Sequence, residues 1–313
     1  MLPATIALLL TYLVDAYPSP RLASMMRERI AKRLSPILGI LLFLQAGIVV
    51  TGGAVRLTGS GLGCPTWPKC TGNSYTPVPH QAEGQVHAWI EFANRLLTFA
   101  LIVASLVALF SVIYLKRRDI RALAIGQLVG ILAQIPLGGI TVLTDLNPIP
   151  VAGHFLLSII LIAAGTSLFE RRAYPPIVQS TPTTMNNFLI ARVHLILTAI
   201  VIVLGTVVTG SGPHAGDIGA PRFHIKLQTI TWIHACLVIA LLLLTVILFL
   251  TSRRDAQLNR RVIIFFGLSM VQGAIGFLQY YQGLPVLLVG AHILGVTLIW
   301  IGAWRIHLSS CRK

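Results

Sequence analysis

Gln134–Leu157, QIPLGGITVLTDLNPIPVAGHFLL, is echoed without a gap by Gln272–Gly295, QGAIGFLQYYQGLPVLLVGAHILG. A constant offset of 138 pairs Gln134 with Gln272, Gly138 with Gly276 and His154 with His292. An offset of 140 carries the likeness upstream, setting IEFANRLL (Ile90–Leu97) beside Thr231-Trp232-Ile233-His234, so that Asn94 meets His234. Self-similarity of this kind marks a duplicated structural unit. Each half holds four long apolar runs. The chain therefore reads as an all-α integral membrane protein, with eight transmembrane helices in two tandem, pseudo-symmetric four-helix bundles. An even number of helices per half makes the repeats parallel in topology.

Composition agrees. Of 313 residues, 55% are hydrophobic and 11% are charged, and the mean hydropathy is +0.82. A soluble domain carries about 25% charged residues, and a spanning helix needs about 20 apolar ones. Runs of that kind fall at roughly 36–55, 88–114, 120–143, 150–169, 187–209, 228–251, 262–281 and 285–306. The net charge of +15 lies in short clusters between these runs, not over one surface, which excludes nucleic acid as a partner and leaves membrane lipid.

The loops alternate in character. Lys116, Arg117, Arg118 and Arg121, then Arg171 and Arg172, then Arg253, Arg254, Arg260 and Arg261 share one side with Arg27, Arg29, Lys32, Arg33, Arg312 and Lys313. The loops at 56–87, 144–149, 210–227 and near Gln282–Leu284 are poor in Lys and Arg. The positive-inside bias places both termini in the cytoplasm of a bacterial cell membrane. Residues 1–35 read as a cytoplasmic segment, 36–173 as the first bundle, 174–186 as a linker, 187–306 as the second bundle and 307–313 as a tail. The opening run MLPATIALLLTYLV lacks the basic flank and cleavage site of a signal peptide. Met25 and Met26 resemble a natural start, so residues 1–24 read as an upstream extension.

The first long loop contains RLTGSGLGCPTWPKC, Arg56–Cys70, and a partial copy, VVTGSGPHAGD, recurs at Val207–Asp217 without the cysteines. Cys64 and Cys70 bracket a Pro-Thr-Trp-Pro turn in a compartment that is oxidising for a bacterium. A disulfide is the preferred reading there, two free thiols the alternative. Cys236 reads as a packing residue and Cys311 as a reduced cytoplasmic thiol.

Three of the nine histidines, His154, His234 and His292, lie inside apolar runs, each within two turns of the same membrane face. An ionisable group in a spanning helix is costly and usually functional. Either each is a neutral ring bonded to a neighbouring helix, or His234 and His292 hold a planar haem between facing helices. In the first half Asn94 replaces the second imidazole, and Glu91 and Arg95 stand where the second half has Thr231 and Ala235. Glu91 is a candidate acid or base, or else an ion-pair partner of Arg95 or Arg56. Those two arginines are candidate partners for haem propionates. The asymmetry suggests a fixed cofactor in the second half and a reaction in the first.

TGSGLGCPTWPKC, the segment Glu91–Arg95, VAGH at 151–154, TGSGPHAGD at 209–217, His234 and His292 together resemble haem A synthase, over about residues 35–306. The resemblance implies oxidation of a methyl group of haem O to a formyl group, giving haem A for terminal oxidases. It implies haem b on His234 and His292, substrate haem facing His154, Glu91 as catalytic carboxylate, and Cys64 and Cys70 as the family's cysteine pair. Many members have histidine at the position of Asn94, and some have a second cysteine pair in the third long loop; this chain has neither. His87 is the obvious substitute ligand, but seven residues of helix place it about 10 Å from Asn94 along the axis. Five-coordinate substrate iron on His154 alone, or His87 as a propionate or proton partner, are the other readings. Haem O synthase and an unidentified electron-transfer protein are expected partners. A b-type electron-transfer cytochrome and a haem transporter are the rival functions.

Overall fold

The computed structural model describes residues 20–174 and 184–311. Residues 1–19 of the expected extension 1–24, residues 175–183 of the expected linker, and Arg312 and Lys313 lie outside them. Among the described residues are eight helices, all long and apolar enough to cross a membrane: α1 (Pro20–Leu57), α2 (Gln85–Tyr114), α3 (Arg118–Leu143), α4 (Pro148–Glu170), α5 (Met185–Ser211), α6 (Leu227–Thr251), α7 (Ala256–Tyr281) and α8 (Val286–Ser310). In hydrocarbon every backbone N–H and C=O needs an internal partner, and a helix supplies all of them within one segment.

Helix α1 begins well before its apolar run. Residues 24–33 are good helix formers and carry a Glu28–Lys32 ion pair one turn apart. The helix continues through Pro36 into the apolar part. Turn chemistry sets the other starts. Asn147 accepts from the Ile149 N–H ahead of Pro148, Thr184 from Asn187, and Asp255 from Leu258.

Helices α1 to α4 close into one ring, α1 on α2, α2 on α3, α3 on α4 and α4 on α1, and α5 to α8 close into a second in the same order. The rings meet where α8 packs on α1 and α4, and where α4 packs on α5. Both tightly packed apolar cores occupy the end of the bundles that carries the basic clusters. The first includes Leu34, Leu38, Ala108, Val112, Ile120 and Leu168, and the second Leu248, Leu258, Val262, Phe265, Ala303 and Ile306. Toward the other end, where the long loops lie, the inward positions are only half-buried. That is where the imidazoles sit. Large apolar side chains such as Phe43, Phe99, Leu243, Phe277 and Leu287 point outward, as a lipid-facing surface requires.

The junction between the rings is held at three levels. In the middle, Val49, Ile159, Ile162, Ala163, Ile202 and Trp300 form a shared core, and the Trp300 indole N–H donates to the Ile159 carbonyl at 2.7 Å. At the basic end Glu170 of α4 accepts from Arg261 of α7 and from Arg305 of α8. At the loop end Arg56 donates to the carbonyls of His214 and Thr209, and the Gly61 N–H donates to the Gly216 carbonyl at 2.9 Å.

The Glu170 carboxylate is 9% exposed and Arg261 10%, so removing the acid leaves a buried guanidinium without its counter-charge, though still bonded to the Arg305 carbonyl. Breaking a buried pair from one side costs about 3–5 kcal/mol. Glu170→Ala should therefore lower the thermal midpoint of the detergent-solubilised protein by several degrees. Glu28→Ala, whose pair with Lys32 is solvated, should leave that midpoint unchanged.

Candidate active site

His154, His234, His292 and Asn94 each rest on a glycine of the adjacent helix. His154 on α4 lies over Gly138 of α3, where an added Cβ would come within 3.3 Å of its Cε1. His292 on α8 lies over Gly276 of α7 at 3.2 Å, and His234 on α6 over Gly205 of α5 at 3.5 Å. Asn94 on α2 completes the set over Gly52 of α1, its Nδ2 at 3.8 Å. One turn before Gly138 and Gly276 stand Gln134 and Gln272. The amide of Gln134 donates to the backbone carbonyl of His154 at 3.1 Å, and that of Gln272 to the carbonyl of His292 at 2.9 Å. The repeat thus duplicates the seat as well as the histidine.

The three rings share one electrostatic condition. The Nδ1 of His154, His234 and His292 is sealed from solvent and has no hydrogen-bond partner. His234 interacts with the carbonyl of Val201 without reaching hydrogen-bond geometry. The rings are only half-buried, so the open edge of each is the one carrying Nε2. A buried polar atom without a partner costs about 1–3 kcal/mol, and the Nε2 edge is the one open to a ligand. His234 and His292 are close enough to interact electrostatically. Among the described residues, no three His, Cys, Asp or Glu side chains gather to hold a bare metal ion. Pairs of imidazoles inside a bundle suit a tetrapyrrole, whose four ring nitrogens supply the remaining ligands. The residues present fit that group.

The first bundle carries more polar structure. Thr51 Oγ1 donates to Asn94 Oδ1 at 2.7 Å. One turn toward the loop, Glu91 is 6% exposed and both its oxygens are engaged. Oε2 accepts from the Cys64 N–H at 2.7 Å, and Oε1 from Arg95 Nη2 at 2.6 Å. Arg95 also donates to the carbonyls of Cys64, Thr66 and Lys69. Glu91 is thus ion-paired, the alternative to its acid–base reading, and its partner is Arg95 and not Arg56. The pair anchors the cysteine loop to α2. Arg95 is occupied by this loop, and Arg56 faces only carbonyls across the junction between the rings.

The loop covers the mouth of the first bundle. Trp67 lies on Gly139 of α3, where a Cβ would come within 2.5 Å of its ring. Gly63 passes so close to the His87 carbonyl that a side chain there would collide at 2.4 Å. The sulfurs of Cys64 and Cys70 are at bonding distance, 2.01 Å. His87 Nδ1 bonds Ser60 Oγ at 2.9 Å, and Ser60 in turn bonds Thr58. Its place is in the loop network, two helical turns from Asn94. A cavity of about 40 Å³, lined by Gln45, Thr98, Gln134, Ser158 and apolar neighbours, forms the floor of the same bundle.

Residues 36–303 match the family model described as COX15-CtaA, cytochrome oxidase assembly protein. The chain belongs to this family. It is similar to the heme A synthase of Shewanella oneidensis, 26% identical over 331 residues that cover 89% of this chain and 98% of that protein. The heme A synthase of a Listeria monocytogenes strain is 26% identical over 86% of this chain and 93% of its own length. That of Geobacillus kaustophilus is 32% identical, but over 104 residues, 32% of this chain and 30% of that protein. Family membership agrees with the eight apolar helices of the fold.

Sequence reasoning located the imidazoles, Glu91 and the cysteine pair. It missed Thr51, and it aligned Gln134 and Gly138 with Gln272 and Gly276 without assigning them a task. The thiols provide a direct check. Denaturation without reductant should leave Cys236 and Cys311 open to maleimide and protect Cys64 and Cys70. Reduction should then expose two more thiols per chain.

Proposed function

We propose that the chain is a haem A synthase, an oxidoreductase that converts a methyl group of haem O to the formyl group of haem A. The observation that carries this reading is one glycine-seated scaffold built twice with unequal chemistry: two imidazoles in the second half, against an imidazole, an amide and a buried carboxylate in the first. In this reading His234 and His292 hold haem b through their open Nε2 edges. His154 faces the iron of substrate haem O in the first bundle. The bound haem supplies one-electron redox chemistry.

The protein's own groups position the substrate and move protons. Converting a methyl to a formyl group adds one oxygen atom. With water as its source, R–CH3 + H2O gives R–CHO with four protons and four electrons released, the electrons passing to an external acceptor. Glu91 Oε2 accepts a single hydrogen bond, from Cys64, and keeps a lone pair free to receive a proton one turn from Asn94. Arg95 holds the other oxygen, which fixes the carboxylate in place. The cysteine loop, with Trp67 on α3, excludes water from the bundle mouth. Of the two arginines, Arg56 is the one available to a propionate, because Arg95 is paired with Glu91 while Arg56 donates to carbonyls alone. In the bilayer, the basic end faces the cytoplasm with both termini and the cysteine loop faces outward, supported by the clustering of Arg and Lys at one end. Haem O synthase upstream and an electron acceptor are the partners this chemistry requires.

A purely electron-transferring cytochrome would use Glu91 and Arg95 only to anchor the cysteine loop, and needs no proton acceptor beside its haem. A transporter of this kind is built on broken helices, whereas all eight helices among the described residues run unbroken.

Two variants test the division of labour. His234→Ala or His292→Ala should abolish the low-spin b-type spectrum of the purified protein. Glu91→Gln keeps an acceptor for the Cys64 N–H, so it should retain that spectrum while haem A formation falls about 10²–10⁴-fold. Undiminished haem A in extracts of the Glu91→Gln strain would reduce the carboxylate to a loop anchor.

A further inference from the structure

The first bundle seats an amide where the second seats an imidazole. Asn94 Nδ2 lies over Gly52 as His234 Cε1 lies over Gly205, so the two side chains start from equivalent places. An asparagine ends roughly where an imidazole ring is only half extended, short of the position of Nε2. By the repeat, a side chain this short would not reach an iron held by His154. Thr51 then biases which end of the amide is presented: its single hydroxyl hydrogen has two acceptors, Asn94 Oδ1 at 2.7 Å and the Ile48 carbonyl at 3.2 Å, and the nearer, Oδ1, leaves the Nδ2 hydrogens as the free donors. His87, the other candidate for this position, is held by Ser60 in the loop network two turns away.

From this geometry we infer that the first half contains a binding site for a small exogenous axial ligand, an oxygen-type or diatomic molecule, between the haem iron on His154 and the Nδ2 hydrogens of Asn94. The inference rests on the proposed haem site of the first bundle. A donor on the open side of a haem is the feature that decides whether a small ligand is bound and how firmly. The second half has no counterpart, because His234 and His292 both have an open Nε2 edge. One chain thus carries a closed haem and an open one, and Thr51 and Asn94 are the residues that make the difference.

The test uses the full-length protein, purified with its haems or loaded with added haem. Dithionite-reduced wild type should bind carbon monoxide at one of two haems per chain, and His154→Ala should lose that haem alone. Asn94→His should abolish carbon monoxide binding and leave two low-spin haems. Asn94→Leu should still bind carbon monoxide with a raised C–O stretching frequency. In the oxidised state, its fluoride affinity should fall about tenfold or more, the loss of one hydrogen bond to a charged acceptor. Thr51→Val, which frees the amide to rotate, should shift the same frequency. The low-spin spectrum of the second-half haem reports correct folding in every variant.

A first-half haem that His154→Ala removes, yet that binds no carbon monoxide in wild type, would overturn the inference while leaving the haem site intact. Unchanged stretching frequency and fluoride affinity in Asn94→Leu would overturn the donor role. If no second haem enters the wild-type protein, the functional reading itself fails, and this inference with it.

Discussion

An imidazole at a helix–helix contact needs a gap in the opposing helix, and here a glycine provides it each time. Gly138, Gly205 and Gly276 lie against the rings of His154, His234 and His292. A side chain at Gly138 or Gly276 would press on the ring at 3.2–3.3 Å. Transmembrane helices gain little from hydrophobic burial against one another, because lipid is equally apolar, so small residues and polar contacts decide how closely they approach. The amides of Gln134 and Gln272 reinforce the seats by taking the histidine carbonyls. Both bundles need this arrangement at the loop end and a continuous apolar core at the basic end. That division places His154, His234, His292 and Asn94 at a similar depth.

Two copies of one seat then allow divergence without loss of fold. The second half keeps an imidazole at both positions and surrounds them with little else. The first half exchanges one imidazole for Asn94 and adds Glu91, Arg95 and a cysteine loop that closes over the mouth. The added groups are linked: Glu91 bonds Cys64, Arg95 bonds Glu91 and three loop carbonyls, and Trp67 lies on α3. Charge buried near a membrane face costs heavily unless paired and hydrogen-bonded. Here the pairing is also what fixes the loop.

Much of this was legible in the sequence because a membrane helix advertises itself by length and apolarity, and because the repeat preserves spacing. The offset of 138 brought His154 and His292 into register, and the basic clusters marked one end of the bundles. Other features were not legible. The start of α1 at Pro20 lies outside the apolar run, so hydropathy could not reveal it. The partner of Glu91 was narrowed to two arginines, and only the loop's path over α2 selects Arg95. Helical spacing set His87 apart from Asn94, but its bond to Ser60 depends on how the loop folds back. Thr51 and Trp300 act across helices that are distant in sequence, and nothing in periodicity marks such contacts.

The account stands on the claim that the first bundle oxidises a haem methyl group. The most direct measurement is the haem content of membranes from a host that makes haem O and no haem A. Expression of this chain should bring haem A into the extract, with haem O falling in proportion. An extract that still holds haem O and haem b alone, from membranes where the protein shows its low-spin spectrum, would contradict it.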